Sequence, residues 1–154
     1  MDIFKVLDEL NIKYEVLTHK AVYTVEEAKK IENMIDGIGC KNLFLTDKKG
    51  SYYLLILEEN KMANLKELAN HLKVPKLTFA SSIELKQILN LEPGSVTPLG
   101  IINDQVNKVL LIIDTYLIDK RVLVHPNTNT KTISIQYNDL IKFIEHTNHK
   151  YILM

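Results

Sequence analysis

The 154-residue chain predicts an α+β fold, and three observations carry that prediction. Cys40 to Thr46 and Tyr52 to Leu57 are apolar, strand-like runs around the turn Asp47-Lys48-Lys49-Gly50. That is the pattern of a hairpin, so at least part of the sheet is antiparallel. Helix signals fall irregularly among the strands, not in the regular alternation of a doubly wound sheet. The glycines form neither a dinucleotide fingerprint nor a phosphate-binding loop of the NTPase kind, which excludes both of those architectures.

Each element has its own signal. Asp2 can cap a first helix whose Ile3, Val6, Leu7 and Leu10 fall at helical spacing. Tyr14-Glu15-Val16-Leu17 alternates as a strand. Thr24-Val25-Glu26-Glu27 has the capping-box pattern and starts a helix to about Ile35, which Gly37 and Gly39 release. After the hairpin, Asn64-Leu65-Lys66-Glu67 and Ser81-Ser82-Ile83-Glu84 repeat the capping signature and open two short helices. Val109 to Ile113 and Arg121 to Val124 are rich in β-branched residues and read as strands. Thr132-Ile133-Ser134-Ile135 alternates, and Asn138-Asp139 is the expected cap of a last helix to about His146. The apolar tail Tyr151-Ile152-Leu153-Met154 must either finish the sheet or meet another subunit.

Composition sets the boundaries. Apolar residues make up 46% and charged residues 25%, the balance of a globular chain, and the length suits one domain over 1–154. No apolar run approaches the roughly 18 to 20 residues of a bilayer span, and Met1-Asp2-Ile3-Phe4-Lys5 is not a secretory leader. A lone cysteine, Cys40, leaves no internal disulfide, so the chain reads as cytoplasmic. Nineteen basic and nineteen acidic side chains cancel, so any nucleic-acid contact must be local. Lys61, Lys66, Lys73, Lys76 and Lys86 outnumber Glu67 and Glu84, a bias that fits a solvated helix surface better than an RNA-binding face.

Three polar islands could carry chemistry. Lys41-Asn42 opens the strand Leu43-Phe44-Leu45, and an ammonium there is either a point charge for a phosphate or a surface lysine. Cys40 beside it is a nucleophile only if a histidine lowers its pKa; a small buried cysteine is the plainer reading. The loop Gly94-Ser95-Val96-Thr97-Pro98-Leu99-Gly100 can turn backbone N–H groups toward one point, as an oxyanion or phosphate nest does, or it is an ordinary turn. His125-Pro126-Asn127, followed by Thr128, Asn129 and Thr130, presents a histidine at a strand end. That ring either positions a ribose hydroxyl or a water, or caps the turn. His146 and His149 flank Asn148 near the C-terminus, and no HxxxH or CxxC spacing supports a metal site.

In this order the islands resemble the YbaK-like family, also called the aminoacyl-tRNA synthetase-associated domain. The stretch His19-Lys20-Ala21-Val22-Tyr23-Thr24 is similar to the family's strand-to-helix entry. Lys41-Asn42-Leu43-Phe44-Leu45 resembles its lysine-bearing strand, Gly94-Ser95-Val96-Thr97-Pro98 its GxxxP loop, and His125-Pro126-Asn127 its late histidine segment. Within the family the chain is most similar to the free-standing alanyl-tRNA(Pro) deacylases of the ProX or PrdX type.

The resemblance implies a mixed, largely antiparallel, barrel-like sheet with surrounding helices. It implies an aminoacyl-tRNA hydrolase without cofactor, metal or covalent intermediate. Lys41, Gly94 and His125 would be catalytic: Lys41 on the terminal phosphate, Gly94 and its neighbours on the ester carbonyl, His125 on the ribose or amino-acid end. Thr24, Asn42, Ser95, Val96, Thr97, Pro98, Leu99 and Asn127 would bind substrate, with Val96 and Leu99 walling the amino-acid pocket. The partner implied is a charged tRNA acceptor end, with docking on prolyl-tRNA synthetase left open, and neither DNA nor membrane is expected. Removal of cysteine or serine instead of alanine, or a binding module without catalysis, are the alternatives.

Overall fold

The computed structural model describes residues 2–154; Met1, the first residue of the N-terminal stretch read above, lies outside them. In chain order the elements are α1 (Ile3–Glu9), β1 (Tyr14–Thr18), α2 (Val25–Glu32), β2 (Cys40–Thr46), β3 (Tyr52–Glu58), α3 (Leu65–Leu72), β4 (Thr78–Phe79), α4 (Ser82–Leu89), β5 (Val109–Ile113), β6 (Arg121–Val124), β7 (Lys131–Gln136), α5 (Tyr137–His146) and β8 (Tyr151–Leu153). Two 3-10 helices, Pro98–Asn103 and Thr115–Leu117, flank β5.

The α+β class holds, and the strands divide into two sheets. One is three-stranded and antiparallel, in the order β1-β7-β6. The other runs β4-β2-β3-β5-β8, antiparallel around β2 and parallel from β3 through β5 to β8. A parallel bridge between Ile38 and Val122 joins them: Ile38 N–H donates to Arg121 O at 2.9 Å, and Leu123 N–H to Ile38 O at 3.0 Å. The segment entering β2 is thereby stitched to β6.

The two-residue period of a strand decides where side chains go. On one face of the hairpin Phe44, Leu54 and Ile56 join the main core with Leu111, Ile113, Val122, Ile133 and Phe143. On the other, Leu43, Leu45, Leu55 and Leu57 pack with Leu68 and Ala69 of α3 in a smaller core. Among the described residues no helix is long and apolar enough to cross a membrane.

Local signals mostly act as read, with instructive departures. Asp2 accepts from Phe4 N–H at 3.0 Å, and Ser81 with Glu84 closes a full capping box on α4. Asn64 caps α3 through Glu67 N–H at 3.0 Å without a return bond. The last helix starts at Tyr137, before Asn138-Asp139; its N-cap is Gln136, which makes no side-chain cap bond. The last residues of the expected loop, Pro98, Leu99 and Gly100, instead open a 3-10 helix and are buried there, Gly100 against Leu89 and Leu91. The C-terminal tail finishes the sheet as β8, parallel to β5. Two lysines of the basic bias are neutralised, Lys61 by Asp114 at 2.6 Å and Lys86 by Glu92 at 3.1 Å.

Candidate active site

A cavity of about 300 Å³ opens where the two sheets are stitched together. Residues 28, 31 and 32 share one face of α2 by helical spacing, and that face supplies Ala28, Ile31 and Glu32. The entry to β2 gives Gly39, Cys40 and Asn42, the end of β6 gives Leu123, Val124 and His125, and the glycine loop gives Gly94 and Val96. Val22, Asn129 and Thr132 complete it. The three polar islands do converge, through some of their residues and not others.

Among the described residues His125 is the one histidine of the lining. Its Nδ1 lies 3.1 Å from the carbonyl oxygen of Lys131. A carbonyl only accepts, so Nδ1 carries the proton and Nε2 keeps its lone pair. Burial pushes the ring's pKa below the ordinary histidine value, only partly opposed by the Lys131 carbonyl, with nearby His19 lowering it further. At neutral pH His125 is therefore a neutral imidazole and a hydrogen-bond acceptor at Nε2.

Gly94 has φ of +91°, a conformation that disfavours any side chain although there is room for one. Among the described residues the N–H groups of Gly94 and Val96 have no hydrogen-bond partner, whereas Ser95 N–H is spent on Glu92 O at 3.0 Å. Asn42 and Asn129 each bring a buried side-chain oxygen without a partner. The amide nitrogen of Asn129 is already committed to Val22 O at 2.9 Å, which ties the turn after β6 to the entry of α2. Thr132 meets His19 Nε2 at 2.9 Å, and His19 Nδ1 is engaged by Lys20 O at 2.7 Å.

Several residues expected at the site lie elsewhere. Lys41 is half-buried between two lining residues, and its register partner Leu57 belongs to the α3 face, so strand alternation turns the lysine away from the cavity. Thr97, Pro98 and Leu99 are buried in the 3-10 turn. Thr97 donates to His125 O at 2.6 Å, so it positions the histidine from behind, and Leu99 is part of the main core. Ser95 does not line the cavity either. Thr24 is an exposed helix cap, accepting from Glu27 N–H at 3.1 Å and donating to Glu27 Oε1 at 3.0 Å in place of a return bond from the glutamate to the backbone. Asn127 occupies a left-handed turn position, φ +62°, with its side-chain oxygen buried outside the lining.

Glu32 and Thr132 line the cavity without having been expected there, and Asn129, part of the third polar island, had no expected site role. Asn129 and Thr132 lie next to residues that were singled out. Strand alternation alone would have shown that Cys40 and Asn42 share a face from which Lys41 is excluded.

Cys40 lines the cavity, but its thiol is pushed up to about 12 by burial and by the carboxylates of Glu59, Asp114, Glu58 and Glu32. A thiol that resists ionisation this strongly is no nucleophile at neutral pH. We expect Cys40→Ala to retain the wild-type rate of ester hydrolysis; a loss beyond tenfold would reinstate the thiol.

The family model of the aminoacyl-tRNA editing domain matches residues 19–143. The chain belongs to that family. It is 38% identical over 148 residues to the prolyl-tRNA editing protein ProX of Acetoanaerobium sticklandii, covering 94% of this chain and 90% of the relative. It is 33% identical over 161 residues to the prolyl-tRNA synthetase associated domain-containing protein 1 of Danio rerio, covering 100% and 88%. A crystal structure described as a candidate trans-editing enzyme for prolyl tRNA synthetase shares the fold with a TM-score of 0.73, at 19% identity and coverage of 98% and 94%. The protein is thus an aminoacyl-tRNA editing enzyme, a deacylase of the ester bond.

Proposed function

We propose that this single domain deacylates mischarged tRNA(Pro) in trans, with alanyl-tRNA(Pro) as its main substrate. The observation that carries the reading is one cavity holding a neutral histidine acceptor, two free backbone N–H groups and an apolar wall of Val22, Ala28, Ile31 and Leu123. Its volume of about 300 Å³ is at the small end for ligand sites, which suits a small aminoacyl group.

In this reading the ester carbonyl points at the Gly94 and Val96 N–H groups, which receive the negative charge that develops as water adds. His125 Nε2 accepts a hydrogen bond from the ribose hydroxyl adjacent to the ester, and that hydroxyl orients the attacking water. Water's oxygen bonds to the acyl carbon, the bond to the ribose oxygen breaks, and water's proton passes to that oxygen. Free amino acid and intact tRNA leave. An aminoacyl ester is reactive enough for orientation and charge stabilisation to suffice. The adjacent hydroxyl exists on RNA and not DNA, which ties the chemistry to tRNA.

Lys41 keeps its proposed role outside the cavity. Among the described residues it forms no ion pair, and its flexible stem sits at the start of β2, where an ammonium could meet the terminal phosphate. Specificity rests on size exclusion: a proline-activating site rejects alanine by only about 1–3 kcal/mol per missing group, whereas a second cavity too small for proline spares the correct product.

The test is deacylation of alanyl-tRNA(Pro) beside prolyl-tRNA(Pro), by wild type and Lys41→Ala. Rapid loss of alanine alone, abolished by the substitution, is the expected result. Cleavage of cysteinyl- or seryl-tRNA in its place would change the amino acid and keep the chemistry. Binding of charged and uncharged tRNA alike, with no hydrolysis, would make the protein a binding module.

A further inference from the structure

Glu32 is the only acidic residue in the cavity lining, and it does not stand alone. Its carboxyl group faces that of Glu59, the residue that follows β3: an oxygen of each crowds over Gly39, where an added Cβ would meet both. Two carboxylates facing one another cannot both ionise in a half-buried setting, so the pair holds one proton and one negative charge.

We propose that Glu32, backed by Glu59, receives the α-ammonium group of the aminoacyl substrate. This rests on the deacylase reading above and names the part of the substrate that the reading leaves unassigned. The α-amine is one carbon from the ester carbonyl, so any aminoacyl group small enough for the cavity must place an ammonium against its wall. Among the described residues Glu32 is the one lining residue that can present a negative charge to it; the rest of the wall is apolar, amide, hydroxyl, thiol or neutral imidazole. No lysine or arginine among the described residues lines the cavity. Lys29, on the same helix, opposes the shift only weakly, while Glu58 and Glu59 at the end of β3 add negative charge. Burial first, and then Glu59, raise Glu32 to about 8, which is how the protein tolerates the pair with no cation bound. A substrate ammonium would take the place of the shared proton, so its binding should release a proton at neutral pH.

The test separates recognition of the amine from catalysis. Binding of 3′-deoxy-3′-(alanylamino)adenosine, an amide that cannot be hydrolysed as the ester is, and of its N-acetyl derivative is measured by calorimetry in two buffers of different ionisation enthalpy. For wild type we expect the free amine to bind about tenfold to a hundredfold more tightly, the range for a hydrogen bond to a charged group, with proton release. In the Glu32→Gln/Glu59→Gln double variant the two affinities should converge and the proton release should vanish. Either single variant keeps one carboxylate and should retain part of the preference. Equal wild-type affinities, a preference that survives the double substitution, or no binding of either compound would each overturn the proposal. Failure of the deacylase reading would show instead as absence of aminoacyl-tRNA hydrolysis by wild type, whatever the affinity ratio.

Discussion

His125→Ala should lower the rate of aminoacyl-ester hydrolysis by about a hundredfold or more, the effect of losing a positioned proton-handling group. The direction follows from the ring's two bonds. Nδ1–H is fixed by Lys131 O, and the backbone carbonyl of His125 is held by the Thr97 hydroxyl, so Nε2 has a defined aim into the cavity. The pH profile provides the check that a packing role would not. Because burial depresses the histidine's pKa, the acceptor is intact at neutral pH and is lost only as pH falls below the usual value of about 6.5. The limb that His125 contributes should therefore lie in acid, below that value, and the variant should lack it. A variant with the wild-type rate and the same limb would reduce His125 to a wall residue.

The sequence discloses the site's parts and misses their aim. The β2–β3 hairpin was legible because a strand's side chains and its turn obey local rules; the two strands pair from Thr46 opposite Tyr52 onward. The same rule, applied one residue further, separates Lys41 from Cys40 and Asn42; reading residues as an island hid it. The glycine loop was legible as a special backbone, at Gly94, but Pro98 and Leu99 are buried by tertiary packing against α4, which no local pattern announces. Glu32 escaped for a different reason. A glutamate on an amphipathic helix is ordinarily solvated, and it is burial in the cavity together with the approach of Glu59, 27 positions away just after β3, that makes it unusual.

His149 shows the same limit at its largest scale, and it yields the largest expected effect on stability. The sequence does not single out its partner; in the fold its Nε2 lies 2.9 Å from Asp104 Oδ2, across 45 positions, with both side chains almost fully buried at 1% and 2% exposure. The same Asp104 oxygen accepts from Val109 N–H at 2.9 Å, at the first residue of β5, and His149 Nδ1 meets the Thr147 hydroxyl at 2.8 Å just before β8. One carboxylate thus fastens the parallel β5–β8 edge from both of its strands. Asp104→Ala leaves the buried Nε2 of His149 and the buried N–H of Val109 without partners, and removal of one member of such a pair costs about 3–5 kcal/mol. In a domain of this size that lowers the melting temperature by roughly 10 °C. Asp104→Asn keeps an acceptor for Val109 and should cost distinctly less. His149→Ala, measured with Asp104→Ala and the double variant, should show the two effects to be strongly non-additive, because each single change strands the other group. Additive losses would mean that the pair is a neighbour relation without coupling, and that the edge is held by the apolar contacts of Leu111, Ile113 and Tyr151 alone.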